Sequence, residues 1–327
     1  MSKSTVFIKK VTNSLSLVES VKDILNQLNW KKYVKTDSLV VVKPNLCTAR
    51  KERVSSANTS PELIRSLCCV LNSRADRVII AESDGKNYPM EQAARLTKIY
   101  DIAEDTGVEV LNFSKDMQVT MNSEILEGWS VPKTLMEADC FITLPKLKTH
   151  GLTGLTGSIK NQFGCLPQKD RILLHHKLSL VLMELNRIFS PSFSIMDGII
   201  AMEGRGPVNG DPVNLGLLLA SNDIVALDAT AARIIGMNPY LIEHIRMCNE
   251  HGLGHISNDE ITVVSDVDIS EIQPFKLPED DLVNETMKFI FKFPLLTRLT
   301  MTTPLFGYLR RAGLSIRAFE ERLKSFC

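Results

Sequence analysis

CFITLPKLKTHGLTGLTGSIKNQFGC, residues 140–165, changes character twice. Its first six residues are β-rich and apolar without alternation, as suits a strand covered on both faces in a parallel sheet. That run passes directly into Lys146, Lys148 and His150. In open parallel sheets ligands bind beyond the carboxyl ends of the strands, so these side chains are expected at a binding rim. Gly151, Gly154 and Gly157 then recur every three residues among Thr153, Thr156 and Ser158. Glycines let backbone N–H groups turn inward as an anion nest, and hydroxyls add donors. Ser158 is expected to open a helix carrying Lys160 and Asn161, and a helix N-terminus favours an anion. The stretch therefore reads as a strand, a cationic rim and a site for phosphate or carboxylate. The plainer reading, a solvated basic loop, leaves the regular glycines without a purpose. Neither the Walker A order nor a Rossmann glycine fingerprint is present.

Working outward, TVFIKK (5–10), SLVVVK (38–43), RVIIAES (77–83) and VEVLNF (108–113) are four earlier strands of the same kind. Helical stretches fall between them, near 16–29, 60–73 and 91–106. Thr59-Ser60-Pro61-Glu62 is a good helix start, with a hydroxyl cap and proline in the first turn. Gly107 supplies a stop. Strand and helix in alternation predict right-handed crossovers and an α/β fold: a doubly wound, mostly parallel sheet with helices on both faces. QVTMNSEILEGWSVPK (118–133) alternates differently and is expected to form a hairpin or excursion. PSFSIMDGI (191–199), NLGLLLAS (214–221), a helix at 223–236 and ITVVS (261–265) complete an α/β domain over 1–270.

Residues 271–327 are expected to be an α-helical C-terminal extension. Its last part is apolar and basic, is broken by Pro294 and Pro304, and carries five Arg and three Lys against three Glu over 284–327, net +5. Packing on the main domain is the plain expectation. Contact with a membrane surface or a partner is the sharper one, since basic amphipathic segments bind such surfaces; a homo-oligomer contact is the third.

Lys plus Arg and Asp plus Glu are both 38, so the formal net charge is zero and no nucleic-acid partner is expected. No apolar run approaches a transmembrane span, and the N-terminus lacks the apolar core of a secretory signal. Seven cysteines without a regular framework fit free thiols in a reducing cytoplasm.

Other strand ends repeat the pattern of the first. VVVKPNLC ends in Lys43, Asn45 and Cys47; AESDG in Glu82 and Asp84; SIMDGIIAMEGRGPVNGDP carries Asp197 and Glu203. Carboxylates facing lysines can act as acid or base, ligate a metal, or merely pair with the cations. His150 is the preferred ionisable group, and one of His175 and His176 is expected to face the site. His244, His251 and His255 are explained by a helix C-terminus.

Together VVVKPNL, TSPELI, ITLPKLKTHGLTGLTGSIKNQFGC, MDGIIAMEGRGPVNGDP and LLLASNDIVALDATAARIIGM resemble the family catalogued as domain of unknown function 362, often labelled uncharacterised iron–sulfur centre proteins. The resemblance runs through residues 5–265 in order. It implies an α/β fold whose motif blocks converge on one site, and in many members an appended ferredoxin-like segment. This chain departs there: beyond residue 265 only Cys327 remains, so the tail replaces that segment. Cys47 and Cys165 are the candidates for a cluster or redox site, although two cysteines fall short of four ligands.

The function expected is an enzyme on a small anionic, phosphate- or carboxylate-bearing molecule. His150, Lys146, Lys148 and Asp197 are the catalytic candidates. Lys43, Asn45, Thr153, Gly154, Gly157, Ser158, Lys160 and Asn161 are the anion-binding candidates, and Asp84 and Glu203 the candidates for a divalent metal. Family analogy favours a reductase, with electrons from a separate ferredoxin-like partner. The alternatives are a non-redox metal-dependent isomerase, ligase or hydrolase, and a protein that binds or delivers an anionic ligand or metallocofactor.

Overall fold

The computed structural model describes residues 3–278 and 282–303, with the single positions 307, 308, 311, 313 and 315. Twelve strands form among them: β1 (Ser4–Lys10), β2 (Leu39–Pro44), β3 (Arg77–Glu82), β4 (Glu109–Asn112), β5 (Gln118–Thr120), β6 (Ser130–Pro132), β7 (Cys140–Leu144), β8 (Lys146–His150), β9 (Gly154–Thr156), β10 (Phe193–Glu203), β11 (Asp211–Ser221) and β12 (Ile261–Ser265). The main sheet runs β12-β1-β11-β10-β7-β2-β3-β4. Its pairings are parallel except along β11, which is antiparallel to both β1 and β10. β5 and β6 pair antiparallel as a separate small ribbon, the excursion expected at 118–133.

Period-two alternation puts a core on each face of this sheet. Val40, Val42, Val78, Ile80, Ile142, Ile195 and Leu218 face one layer, against the helices Ser14–Gln27 and Pro61–Asn72. Met196, Leu217 and Leu219 face the other, against Leu178–Phe189 and Ile224–Ile234. The fold is thus an α/β doubly wound sheet with C-terminal helices.

Local chemistry starts these helices where the sequence suggests. The Ser60 hydroxyl accepts from Leu63 N–H with Pro61 behind it, and Asp223 accepts from Val225 and Ala226 N–H at 2.9 Å. The stretch 91–106 is two helices rather than one, Met90–Leu96 and Ile99–Thr106. Lys98 between them is left-handed (φ 56°), and buried Thr97 accepts a hydrogen bond from Asn58 Nδ2 at 2.9 Å. That side-chain bond anchors the break.

After β7 the strand pauses at Pro145, resumes as β8 alongside β10, and folds back as β9. The glycine block is therefore a β-hairpin, not the open nest that its spacing suggests. Beyond the body, helices Leu282–Lys292 and Pro294–Met301 pack through Ile290, Phe291 and Met301 against Leu152 and Ile172. Before them, Phe275 sits in the main core, past residue 270. No helix of the described residues is long and apolar enough to cross a membrane. Pro304, Cys327 and every residue from 316 on lie outside the described residues.

Candidate functional site

β2 is followed in the chain by β3 on one side, while its other neighbour, β7, arrives only after the chain has reached the β4 edge. Such a reversal opens a crevice at the carboxyl ends of the strands. Here β2 delivers Lys43, Asn45 and Cys47, β3 delivers Glu82 and Asp84, and β8 delivers Lys148 and His150. Lys160 and Asn161 come from the short turn of helix Ser158–Asn161, Arg171 and His175 from the 3-10 segment Lys169–Lys177. Together they line a cleft of about 290 Å³. A second cavity of about 510 Å³ opens beside it, sharing Cys47, Tyr88, His150, His175 and Pro207.

Cations dominate the first cavity: Lys43, Lys86, Lys148, Lys160, Lys169 and Arg171 line it with only Glu82 and Asp84 as carboxylates. Glu82 is committed to Lys43, 2.6 Å away, in a buried pair. Gly164 lies against that pair, where any Cβ would collide with both charged groups. Asp84 Oδ1 accepts from Met90 N–H and Asn112 Nδ2, both at 2.9 Å. Arg171 donates to Ser83 Oγ at 2.7 Å and to the Asp84 carbonyl at 2.8 Å, so its guanidinium is held by uncharged acceptors.

Two lysines are left without carboxylate partners among the described residues. Lys148 is fully buried and donates to Cys47 Sγ (2.9 Å), the Ala57 carbonyl (2.7 Å) and Asn45 Oδ1 (3.4 Å). Burial lowers its pKa. Lys160 Nζ lies 4.8 Å from the centre of the Phe163 ring, with no hydrogen-bond acceptor among the described residues. Burial, with Arg171 and Lys148 nearby, brings its pKa down to about 8.

The two cleft histidines are set in opposite senses. His150 Nδ1 accepts from Leu152 N–H at 3.1 Å, which leaves the ring proton on Nε2. Burial and the charges of Lys160 and Lys148 push its pKa well below 6.5, so the ring stays neutral and acts as a donor. His175 Nδ1 faces the Ile172 carbonyl at 2.9 Å and must carry the proton there, leaving Nε2 as an acceptor. Burial and Lys160 hold its pKa near about 3. Its ring stacks on Phe291 at 4.6 Å and meets Phe163 edge-on at 5.3 Å.

Of the residues singled out from sequence, Lys43, Asn45, Cys47, Asp84, Lys148, His150, Lys160 and Asn161 converge on this cleft. Lys146 and Asp197 do not. They form a fully buried ion pair at 2.9 Å, and Asp197 also accepts from Ser60 and Ile199 N–H. Glu203 pairs with Lys276 at 3.3 Å, outside both cavities. Thr153 faces a separate groove, its hydroxyl donating to the Leu155 carbonyl.

Gly157 and Ser158 are held by a residue that the sequence reading passed over. Asp228 accepts from Ser158 N–H (2.7 Å) and Ile159 N–H (2.9 Å), and the missing Cβ of Gly157 makes room for its carboxylate. The helix start expected to cradle an outside anion is filled by the chain's own carboxylate, whose pKa burial raises to about 7. The available signal was an aspartate in the middle of the mostly apolar helix Ile224–Ile234. Arg171 and Tyr88 were also missed; neither sits in a patterned motif.

Cys165 is fully buried, bonded to Gln162 Oε1 at 3.4 Å, and burial raises its thiol to about 12. It lines neither cavity, whereas Cys47 lines both. Among the described residues no three His, Cys, Asp or Glu side chains converge as a ligand set. These residues do not fit an iron–sulfur cluster.

A sequence model of the family described as "Domain of unknown function (DUF362)" matches residues 40–233. The thylakoid-associated protein sll1697 of Synechocystis sp. is 29% identical over 280 residues, covering 81% of this chain and 84% of its own. Among solved structures, the lactate racemase apoprotein from Thermoanaerobacterium thermosaccharolyticum aligns with a TM-score of 0.47 at 12% identity, over 70% of this chain and 56% of that one. A Thermotoga maritima protein gives 0.34 at 13% identity, over 75% and 60%. The chain thus spans less than two thirds of either solved protein's length.

Proposed function

The chain belongs to the DUF362 family, and from that premise we propose that it is an enzyme acting on a small phosphate- or carboxylate-bearing molecule bound in the cationic cleft. One observation carries this reading: the Lys160 ammonium stands in the cleft with no anionic partner among the described residues, at a pKa of about 8. A half-buried cation lacking a counter-ion raises the free energy of the empty protein, and an incoming anion relieves that cost. Lys43 is already neutralised by Glu82, so Lys160, Lys148 and Arg171 supply the field that the ligand meets.

The groups around that anion move protons rather than electrons. Lys160 exchanges a proton near neutral pH, as a general acid or base requires. His150 Nε2–H is a neutral donor to a substrate oxygen, and His175 Nε2 is an acceptor opposite in sense. A non-redox proton-transfer reaction is therefore the preferred class. In the reductase alternative the same cleft would bind the anion, and electrons would come from a separate ferredoxin-like protein.

The test is a binding screen of small phosphates and carboxylates by calorimetry at pH 7, on wild type and Lys160→Met. The expected result is at least one ligand whose affinity falls roughly tenfold or more in the variant, the scale of one lost charge-assisted contact. If every ligand that binds does so equally well to the variant, the assignment of the site fails. Turnover of the best ligand, or tight binding without turnover, then separates enzyme from delivery protein.

A further inference from the structure

We propose that the corner between helices Leu282–Lys292 and Pro294–Met301 docks on the surface of an anionic lipid bilayer. These helices use their inner side to attach to the body: Ile290, Phe291 and Met301 are buried, and Phe291 stacks on His175. Their outer side carries a further apolar set that none of the described residues covers. Phe289 is 56% exposed, Phe293 49%, Leu295 71% and Leu299 54%.

These four residues are not scattered. Phe289, in the last turn of the first helix, and Phe293, just past its end, have ring centres 5.3 Å apart. Leu295 and Leu299 lie one helical turn apart on the second helix, and Pro294 makes the bend between the helices. Monomeric proteins tolerate single exposed apolar side chains, but a contiguous set is the mark of an interaction surface.

Charge decides what kind of surface. Lys288, Lys292 and Arg298 flank the corner, with Glu285 held by Lys288 at 2.8 Å, and residues 284–327 carry net +5. A second copy meeting this corner about a two-fold axis would bring Lys292 and Arg298 towards their own counterparts, which costs energy. Anionic headgroups meet the same cations favourably, while the Phe and Leu side chains enter the headgroup–acyl boundary. Because no described helix is long and apolar enough to span, the contact is a docking one. The docked helix also walls the larger cavity through Met287 and Phe291, so docking would bring that cavity close to the lipid surface.

The experiment is co-sedimentation of the full chain with phosphatidylcholine vesicles, pure or containing about 30% phosphatidylserine, at low and high salt. Wild type should sediment with the anionic vesicles, and roughly tenfold less of it at high salt or as the Phe289→Ser/Leu295→Ser double variant. Both positions are exposed, and an unchanged thermal midpoint checks that the variant is folded. Absence of binding to anionic vesicles, equal binding to the neutral ones, or equal binding by the double variant each overturns the proposal. So does a wild-type dimer in sedimentation velocity that the double variant abolishes, which would assign the corner to a second copy.

Discussion

Replacing Lys160 by methionine should make the empty protein more stable. The side chain keeps its length and its contact with Phe163 but loses a charge for which the described residues provide no acceptor. Its pKa is lowered from 10.5 to about 8, mainly by burial. That gap is worth ~3 kcal/mol against the charged form. Partial exposure and the lost cation–π contact of about 0.5–1 kcal/mol reduce the expected gain to roughly 2 kcal/mol at pH 7. The pH dependence identifies the cause. Below pH 8 the lysine is charged in both folded and unfolded chains, and the folded wild type bears the full cost. Between about 8 and 10.5 the folded state gives up the proton first, and above 10.5 neither state is charged. The advantage of Lys160→Met should therefore be largest at pH 7 and fade as the pH rises through this window. Paired urea denaturation curves at the two ends measure it. A variant that is equally or less stable at pH 7, or a difference that does not fade, refutes the claim that this half-buried ammonium has no partner among the described residues.

Two other outcomes test the same electrostatics. Anion binding near pH 8.5 should take up a proton, because the ligand restores the pKa of Lys160 towards its ordinary value; calorimetry in buffers of different ionisation enthalpy should show uptake there and little at pH 6.5. Lys43→Met should cost about 3–5 kcal/mol by leaving Glu82 buried and unpaired, and Lys43→Met/Glu82→Gln should recover most of it in thermal or chemical denaturation.

Much of the scaffold was legible because its signals are local. VVV (40–42) and CFI (140–142) are apolar without alternation, as suits strands covered on both faces. Ser60-Pro61 and Asp223 mark helix starts by chemistry that acts within three residues. Lys43 and Lys148 were legible because they follow apolar strand runs, and Lys160 because the same block continues into a helix start, whereas Lys86, Lys169 and Arg171 carried no such signal. What escaped is pairing across the chain. Nothing in the local sequence distinguishes Lys146, tied to Asp197 fifty-one residues away, from Lys148, which faces the cleft two positions later. Two residues apart, they share a face of β8, and only the irregular register with β10, which sets Lys146 opposite Asp197 and Lys148 opposite Met202, gives them different surroundings. The equal spacing of Gly154 and Gly157 likewise hides two separate demands. Gly154 is left-handed at φ 73°, while Gly157 yields space to a carboxylate.

That carboxylate also bears on how the cleft comes into being. Asp228 reaches across seventy residues to fix the turn that carries Lys160 and Asn161. The walls of the cleft from β2, β3 and β8 all precede it in the chain, and the turn that completes them donates its Ser158 and Ile159 N–H groups to this later carboxylate. The family match, which ends at residue 233, closes just beyond this point. A fragment ending before Asp228 would keep the lysines of the cleft but lose the carboxylate that holds the turn carrying Lys160 and Asn161.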